Sequence, residues 1–170
     1  TVRAPGTGQV FALPPSPAAA RAEVRAALGL APDTVLMTSG AMQNKISPPV
    51  LDAWVRILAQ SDGALVLYPF PSSWQQTYDT ARFAAEVRGA CTAAGVNPAR
   101  VHLLPPSPHE AVRRTLSAAD LYLDSFPYSG ATTTVEALMA GCPVVAMAGT
   151  TQRGHQAAGW LQALGLEAQV

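Results

Sequence analysis

The chain has 170 residues, no formal net charge and a charged fraction of 13%, against roughly 25% in ordinary soluble domains. A neutral chain has no bulk electrostatic attraction for nucleic acid or an anionic membrane, and 49% apolar residues is too many for a wholly disordered segment. No apolar run approaches the roughly 18 residues of a membrane helix, and no signal peptide opens the sequence, so a cytoplasmic protein is expected. The chain begins at Thr1 rather than Met and is expected to be a piece of a longer protein. Lys45 is the only lysine; the other ten basic residues are arginines. Cys91 and Cys142 have neither metal spacing nor the number for a disulfide framework, and read as small buried apolar residues.

Thr1–Pro15, rich in Gly and Pro and without periodicity, reads as a linker or extended arm, and residues 16–170 as one domain. Ser16-Pro17 starts a helix that Gly29 ends, and Thr34–Thr38 reads as a buried strand. Ser47-Pro48 opens a helix with Leu51, Trp54, Val55 and Leu58 on one face. Ala64–Tyr68 is a second strand, followed by an aromatic loop through Trp74 and a helix from about Gln76 to Ala94. Arg100–Leu104 is a third strand, and Ser107-Pro-His-Glu110 matches a capping box before the next helix. Leu121–Asp124, a helix over Thr132–Ala140 and Pro143–Met147 follow. A last helix over Gln152–Leu164 precedes Leu166–Val170, which reads as the start of a sixth strand. Apolar strands alternating with helices predict a Rossmann-like, doubly wound α/β domain with a parallel sheet. Neither a Walker loop nor a GxGxxG after the first strand is present.

Ligands of open α/β sheets bind at the carboxyl ends of the strands, so the loops there carry the candidates. After the fourth strand, Gly130 and the run Thr132-Thr133-Thr134 open a helix whose amides and hydroxyls suit an anion, and Glu136 suits a ribose diol. The competing account makes Thr132 a plain N-cap and Glu136 a surface residue complementing the helix dipole. Lys45, in the loop after the first strand, suits a phosphate or stands as a solvated loop lysine. The loop Leu104–His109 offers backbone groups to a base edge, with His109 placed to stack, or is simply a capped helix start. Thr151 and Arg153 after the fifth strand suit a sugar or pyrophosphate, or a cap and a surface arginine. His102 reads as packed in its strand. There is no catalytic triad order, carboxylate pair or metal spacing.

The segment DLYLDSFPYSGATTTVEALMAG (Asp120–Gly141) resembles the signature stretch of the O-GlcNAc transferase family, glycosyltransferase family 41, with its SPINDLY-like members. NKISPPVLDAW (Asn44–Trp54) and GTTQRGHQAAGWLQALGL (Gly149–Leu166) are similar to flanking segments of that family. The resemblance implies the carboxyl-terminal, donor-binding half of a GT-B enzyme, transferring GlcNAc or a hexose from a UDP-sugar to a protein side chain. It implies an inverting, metal-independent displacement without a further cofactor. Lys45 matches the lysine on the donor diphosphate, Thr132 and Thr133 the pair on phosphate oxygens, and Glu136 the acidic ribose position. Pro106, Ser107 and His109 fall in the uracil-reading loop. An amino-terminal GT-B half, a tetratricopeptide array and a protein acceptor are the implied partners. Ala131 and Gly154-His155 stand where the family often has His and Ser-Arg, with Arg153 two positions early. Those departures motivate one alternative, a non-catalytic scaffold or binding module; a further alternative is a GT-B transferase acting on lipid or polysaccharide.

Overall fold

Strands with apolar side chains on both faces must be covered on both sides, and this sequence builds the cover from the helices between them. The computed structural model describes residues 11–12, 21–69 and 80–170. Most of the arm Thr1–Pro15, the helix start at Ser16-Pro17, the loop from Phe70 through Trp74 and the helix start near Gln76 lie outside the described residues. The strands are β1 (Leu36–Ser39), β2 (Ala64–Leu67), β3 (Val101–Leu103), β4 (Leu121–Leu123) and β5 (Val144–Val145). They form one parallel sheet in the order β3-β2-β1-β4-β5. The described helices are α1 (Arg21–Ala27), α2 (Pro48–Ala59), α3 (Thr80–Ala93), α4 (His109–Ala118), α5 (Thr132–Met139) and α6 (Gln156–Ala163).

Strand residues alternate between two cores. Met37, Leu65, Leu67 and Leu123 point to one face, where Trp54 and Leu58 of α2 and Phe83, Val87 and Cys91 of α3 cover them. Leu36, Val66, Tyr122 and Val144 point to the other, beneath Leu116 of α4, Ala137 of α5 and Leu161 of α6. Both cysteines are free and buried. Because the chain runs outward from β1 through β2 to β3 and then returns to β4 beside β1, the strand order reverses between β1 and β4. That reversal opens a crevice at the strands' carboxyl ends, the usual ligand position in such sheets.

Three expectations need correction. The tail Leu166–Val170 is not a strand: Glu167–Gln169 is a single 3-10 turn. Gly165 adopts a left-handed φ of 72° and Leu166 N–H closes back on the Leu161 carbonyl, which ties the tail to the end of α6. The capping box is absent, because Ser107 Oγ donates to the Pro105 carbonyl and Pro108 is the N-cap of α4. Glu110 therefore stands one position too early in the helix to reach back. The last helix is split into a 3-10 turn at Gln152–Gly154 and α6. The Gly154 carbonyl is taken by Gly149 N–H, so it cannot seed a continuous helix.

At the amino-terminal edge of the sheet, Arg25 of α1 is 2% exposed. Its guanidinium donates to the Ala118 carbonyl and pairs with Asp120, whose carboxylate also accepts Leu36 N–H. Arg21 pairs with the same carboxylate from the surface. This knot joins α1, β1 and β4. Arg25→Met is expected to cost about 2–3 kcal/mol in urea unfolding, below the full penalty of breaking a buried pair because Asp120 keeps Arg21 and some solvent.

Candidate functional site

Three loops meet at the β1/β4 crevice, and Ser129 joins them. Its hydroxyl donates to Asp124 at 2.6 Å and accepts Ala157 N–H at 2.9 Å. Its carbonyl accepts from Lys45 Nζ at 3.3 Å, and its N–H donates to the Arg153 carbonyl. Asp124 also accepts Gly130 N–H at 2.7 Å. Gly130 is required here, since a Cβ would lie 2.5 Å from Thr134 Oγ1 and 2.9 Å from Asp124 Oδ1. Ser125 Oγ closes the turn onto the Tyr128 carbonyl.

Lys45 ends a 3-10 turn (Gln43–Lys45) after β1, with Nζ 4.0 Å from the centroid of the exposed Tyr128 ring. The Arg153 guanidinium lies 5.7 Å from the same ring. Two cations from different loops thus share one aromatic ring. The Lys45 ammonium has three donors, and the Ser129 carbonyl takes one of them. Burial pushes the Lys45 pKa down, and the Asp124 charge opposes that shift. Burial pushes the Asp124 carboxyl up, against the hydrogen bonds from Ser129 and Gly130 that hold it down.

Tyr122 supports the start of α5 from below. Burial and the Asp124 charge push its hydroxyl up to about 12, so it remains a proton donor at neutral pH. It donates to Thr133 Oγ1 at 3.0 Å and accepts Gly40 N–H at 3.3 Å. Since Tyr122 fills an acceptor position of the Thr133 hydroxyl, the Thr133 proton is left to donate elsewhere. A Cβ on Gly40 would lie 2.8 Å from Thr133, so the end of β1 packs directly on α5. Thr132 is the first helical residue and is exposed, not the N-cap. Ala131 holds the N-cap position, and no side chain caps the helix there. The first amides of α5 therefore face the crevice with the dipole's positive end.

Glu136, one turn further along α5, is 2% exposed rather than on the surface. His109 Nε2 lies 3.0 Å from its Oε1, and neither carboxylate oxygen has a well-formed hydrogen bond among the described residues. Burial raises the Glu136 pKa, while His109 and Arg113 pull it down. His109 thus stands on a carboxylate. Pro106 and Ser107 are half-buried in the same loop. Thr151 Oγ1 accepts Gly154 N–H, which is a capping role. Among the described residues no group of three or more His, Cys, Asp or Glu is placed to hold a metal ion.

The sequence candidates therefore fall into two neighbouring groups. Lys45, Arg153, Gly130, Thr132 and Thr133 surround the β4–α5 turn, and His109 with Glu136 lies one helical turn away. Tyr122, Asp124, Tyr128 and Ser129 were missed, although all four lie in the quoted signature stretch. An acid ending an apolar strand just before a Gly turn was the available signal for Asp124.

The family model of glycosyl transferase family 41 matches residues 15–170. The chain belongs to glycosyl transferase family 41. Over 136 residues it is 35% identical to a Solanum lycopersicum protein named "Probable UDP-N-acetylglucosamine--peptide N-acetylglucosaminyltransferase SPINDLY", covering 77% of this chain and 14% of the relative. An identically named Oryza sativa subsp. japonica protein is 35% identical over 135 residues, with 76% and 14% covered. The family 41 chain thus spans about a seventh of these relatives. Among solved structures, a Thermobaculum terrenum O-GlcNAc transferase mutant superposes with a TM-score of 0.69 at 30% identity, over 81% of this chain and 25% of that one. Anabaena HepE, solved with UDP and glucose, gives 0.57 at 21% identity over 76% and 34%, and shares the fold. The fold is that of one Rossmann-like half of a GT-B glycosyltransferase. No described helix is long and apolar enough to cross a membrane.

Proposed function

We propose that this family 41 chain is the donor-binding half of an enzyme that transfers GlcNAc or a hexose from UDP to a protein side chain. The observation that carries this reading is the convergence of a half-buried Lys45 ammonium and the uncapped start of α5 on one crevice. When the bond from the sugar to the diphosphate breaks, negative charge grows on the departing phosphate oxygen. Lys45, the Thr132 and Thr133 hydroxyls and the α5 amides stabilise that charge from fixed positions. Glu136 takes the ribose diol, and Pro106 and Ser107 line the approach of the base. Arg153, beside the Tyr128 ring that Lys45 also covers, takes the sugar or pyrophosphate together with Thr151 of the same loop. The displacement is direct, inverting and metal-independent in this reading. The acceptor's base belongs to an amino-terminal GT-B half, and a tetratricopeptide array presents the protein acceptor. The relatives' names support the sugar and acceptor, and the two free buried cysteines accord with a cytoplasmic site.

Isothermal titration and thermal shift with UDP and GDP test it. Stabilisation of about 2.7 kcal/mol is expected at a UDP concentration one hundred times Kd. A folded sample indifferent to both nucleotides would sink the donor reading in favour of a non-catalytic scaffold.

A further inference from the structure

The Glu136 carboxylate is 2% exposed, and both oxygens are shielded from solvent. A ribose diol has no direct path to it. What stands in front is the His109 ring, on a side chain 63% exposed, with Nε2 3.0 Å from Oε1. His109 is the first residue of α4, and its exposure to solvent leaves room for the side chain to rotate outward. We infer that His109 is a gate on the ribose position: its imidazole stands where a vicinal diol would bind Glu136, and a nucleotide must displace it. The inference rests on reading the crevice as a nucleoside diphosphate site.

The exchange is chemically balanced. One N–H donor and, when protonated, one positive charge leave the carboxylate, and two hydroxyl donors replace them. Arg113, on the same helix as His109, also acts on Glu136, so the carboxylate keeps a cation nearby once His109 swings away. Besides α4, α5 packs on α6 and β5, which carry no ionisable side chain, and on the ends of β1 and β4, where the titratable group is Tyr122, bonded to Thr133 rather than to Glu136. An imidazolium holds the carboxylate more tightly than a neutral ring does. Acid therefore closes the gate as long as Glu136 stays ionised. A proton on Glu136, whose pKa burial raises, works the other way on the gate, because it removes the charge that holds the imidazolium, and it weakens the diol's acceptor in every variant alike. Glu136 lies three and four residues beyond Thr133 and Thr132 on α5, about 6 Å along the axis at most. A nucleotide with its phosphates at the helix start thus has its ribose beside the gate.

The test compares UDP with 2′,3′-dideoxy-UDP, which shares the titrating diphosphate but has no diol. Binding is measured by isothermal titration at about pH 5.5 and about pH 8, which bracket the usual range of imidazole titration. UDP is expected to lose about tenfold more affinity than the dideoxy analogue on going to the lower pH. His109→Ala should tighten UDP binding several-fold at the lower pH and leave the analogue unchanged. His109→Gln, which keeps a donor but no titrating charge, should reduce the extra acid sensitivity to the part that Glu136 contributes by itself. The gate is overturned if His109→Ala weakens UDP binding, or if the ratio of the two affinities is the same in all three proteins. If the unsubstituted protein binds neither nucleotide, the donor-site reading falls and takes the gate with it. Tight UDP binding with an unmoved ratio sinks the gate alone.

Discussion

Lys45→Ala is expected to weaken UDP binding by roughly 10- to 100-fold, the loss of one charge-assisted contact to phosphate. The fold should survive. Lys45 makes a single 3.3 Å bond to a backbone carbonyl and lies over an exposed ring, so its removal orphans no buried donor. Urea unfolding of the variant should lie within about 1 kcal/mol of the parent, since a partly exposed cation–π contact is worth little more. Isothermal titration then reads the binding loss without a folding artefact. Lys45→Arg tests the geometry: the charge remains, but a planar guanidinium does not present three donors around a point. An intermediate affinity is expected. A Lys45→Ala protein that binds UDP like its parent removes the lysine from the diphosphate.

Asp124→Ala is expected to be the most destabilising change at the site, by about 3–4 kcal/mol. The carboxylate is 6% exposed and accepts from the Ser129 hydroxyl and Gly130 N–H, both of them buried. Deleting it leaves those donors without a charged acceptor, at about 1–3 kcal/mol each. For a domain of this size the thermal midpoint should fall by roughly 10 °C. Asp124→Asn separates hydrogen bonding from charge. Its amide oxygen still takes Gly130 N–H, and Ser129 Oγ can turn its proton toward the Gly130 carbonyl 3.3 Å away. A loss of about 1 kcal/mol is expected for Asn, with UDP binding retained. Equal melting temperatures for the Ala variant and the parent would show that the network does not hold the turn.

The parallel sheet and its alternating helices were legible because each strand is a short apolar run bounded by Gly, Pro or a capping residue. Gly29, Gly95 and Gly165 do close helices, each with a left-handed φ between 67° and 72°. The failures share a cause. The Ser107 box, the continuous last helix and the sixth strand were local patterns, and each lost to a competing hydrogen bond: Ser107 Oγ to the Pro105 carbonyl, Gly149 N–H to the Gly154 carbonyl, and Leu166 N–H to the Leu161 carbonyl. Gly154 is the plainest example, its carbonyl being taken by Gly149 before a helix can use it.

The site was legible where composition or motif made a residue conspicuous. A lone lysine and three successive threonines stood out. Ser129 did not, because its bond to Lys45 spans 84 positions and a serine in a turn has no distinguishing pattern. Glu136 was legible as an acid on α5 but not as a buried one, since its cover comes from His109 on another helix. Residue type signalled chemistry, and the parallel pairing of β1 with β4 supplied proximity.

The junction at Ser129 also bears on when the crevice loses its freedom. Segments following β1, β4 and β5 are fastened to one another through a single small residue, before any ligand arrives. Their loop entropy is surrendered during folding, so a ligand entering between them orders little new chain. Such a site recognises its ligand as a rigid template, and what adjusts is confined to side chains at the rim.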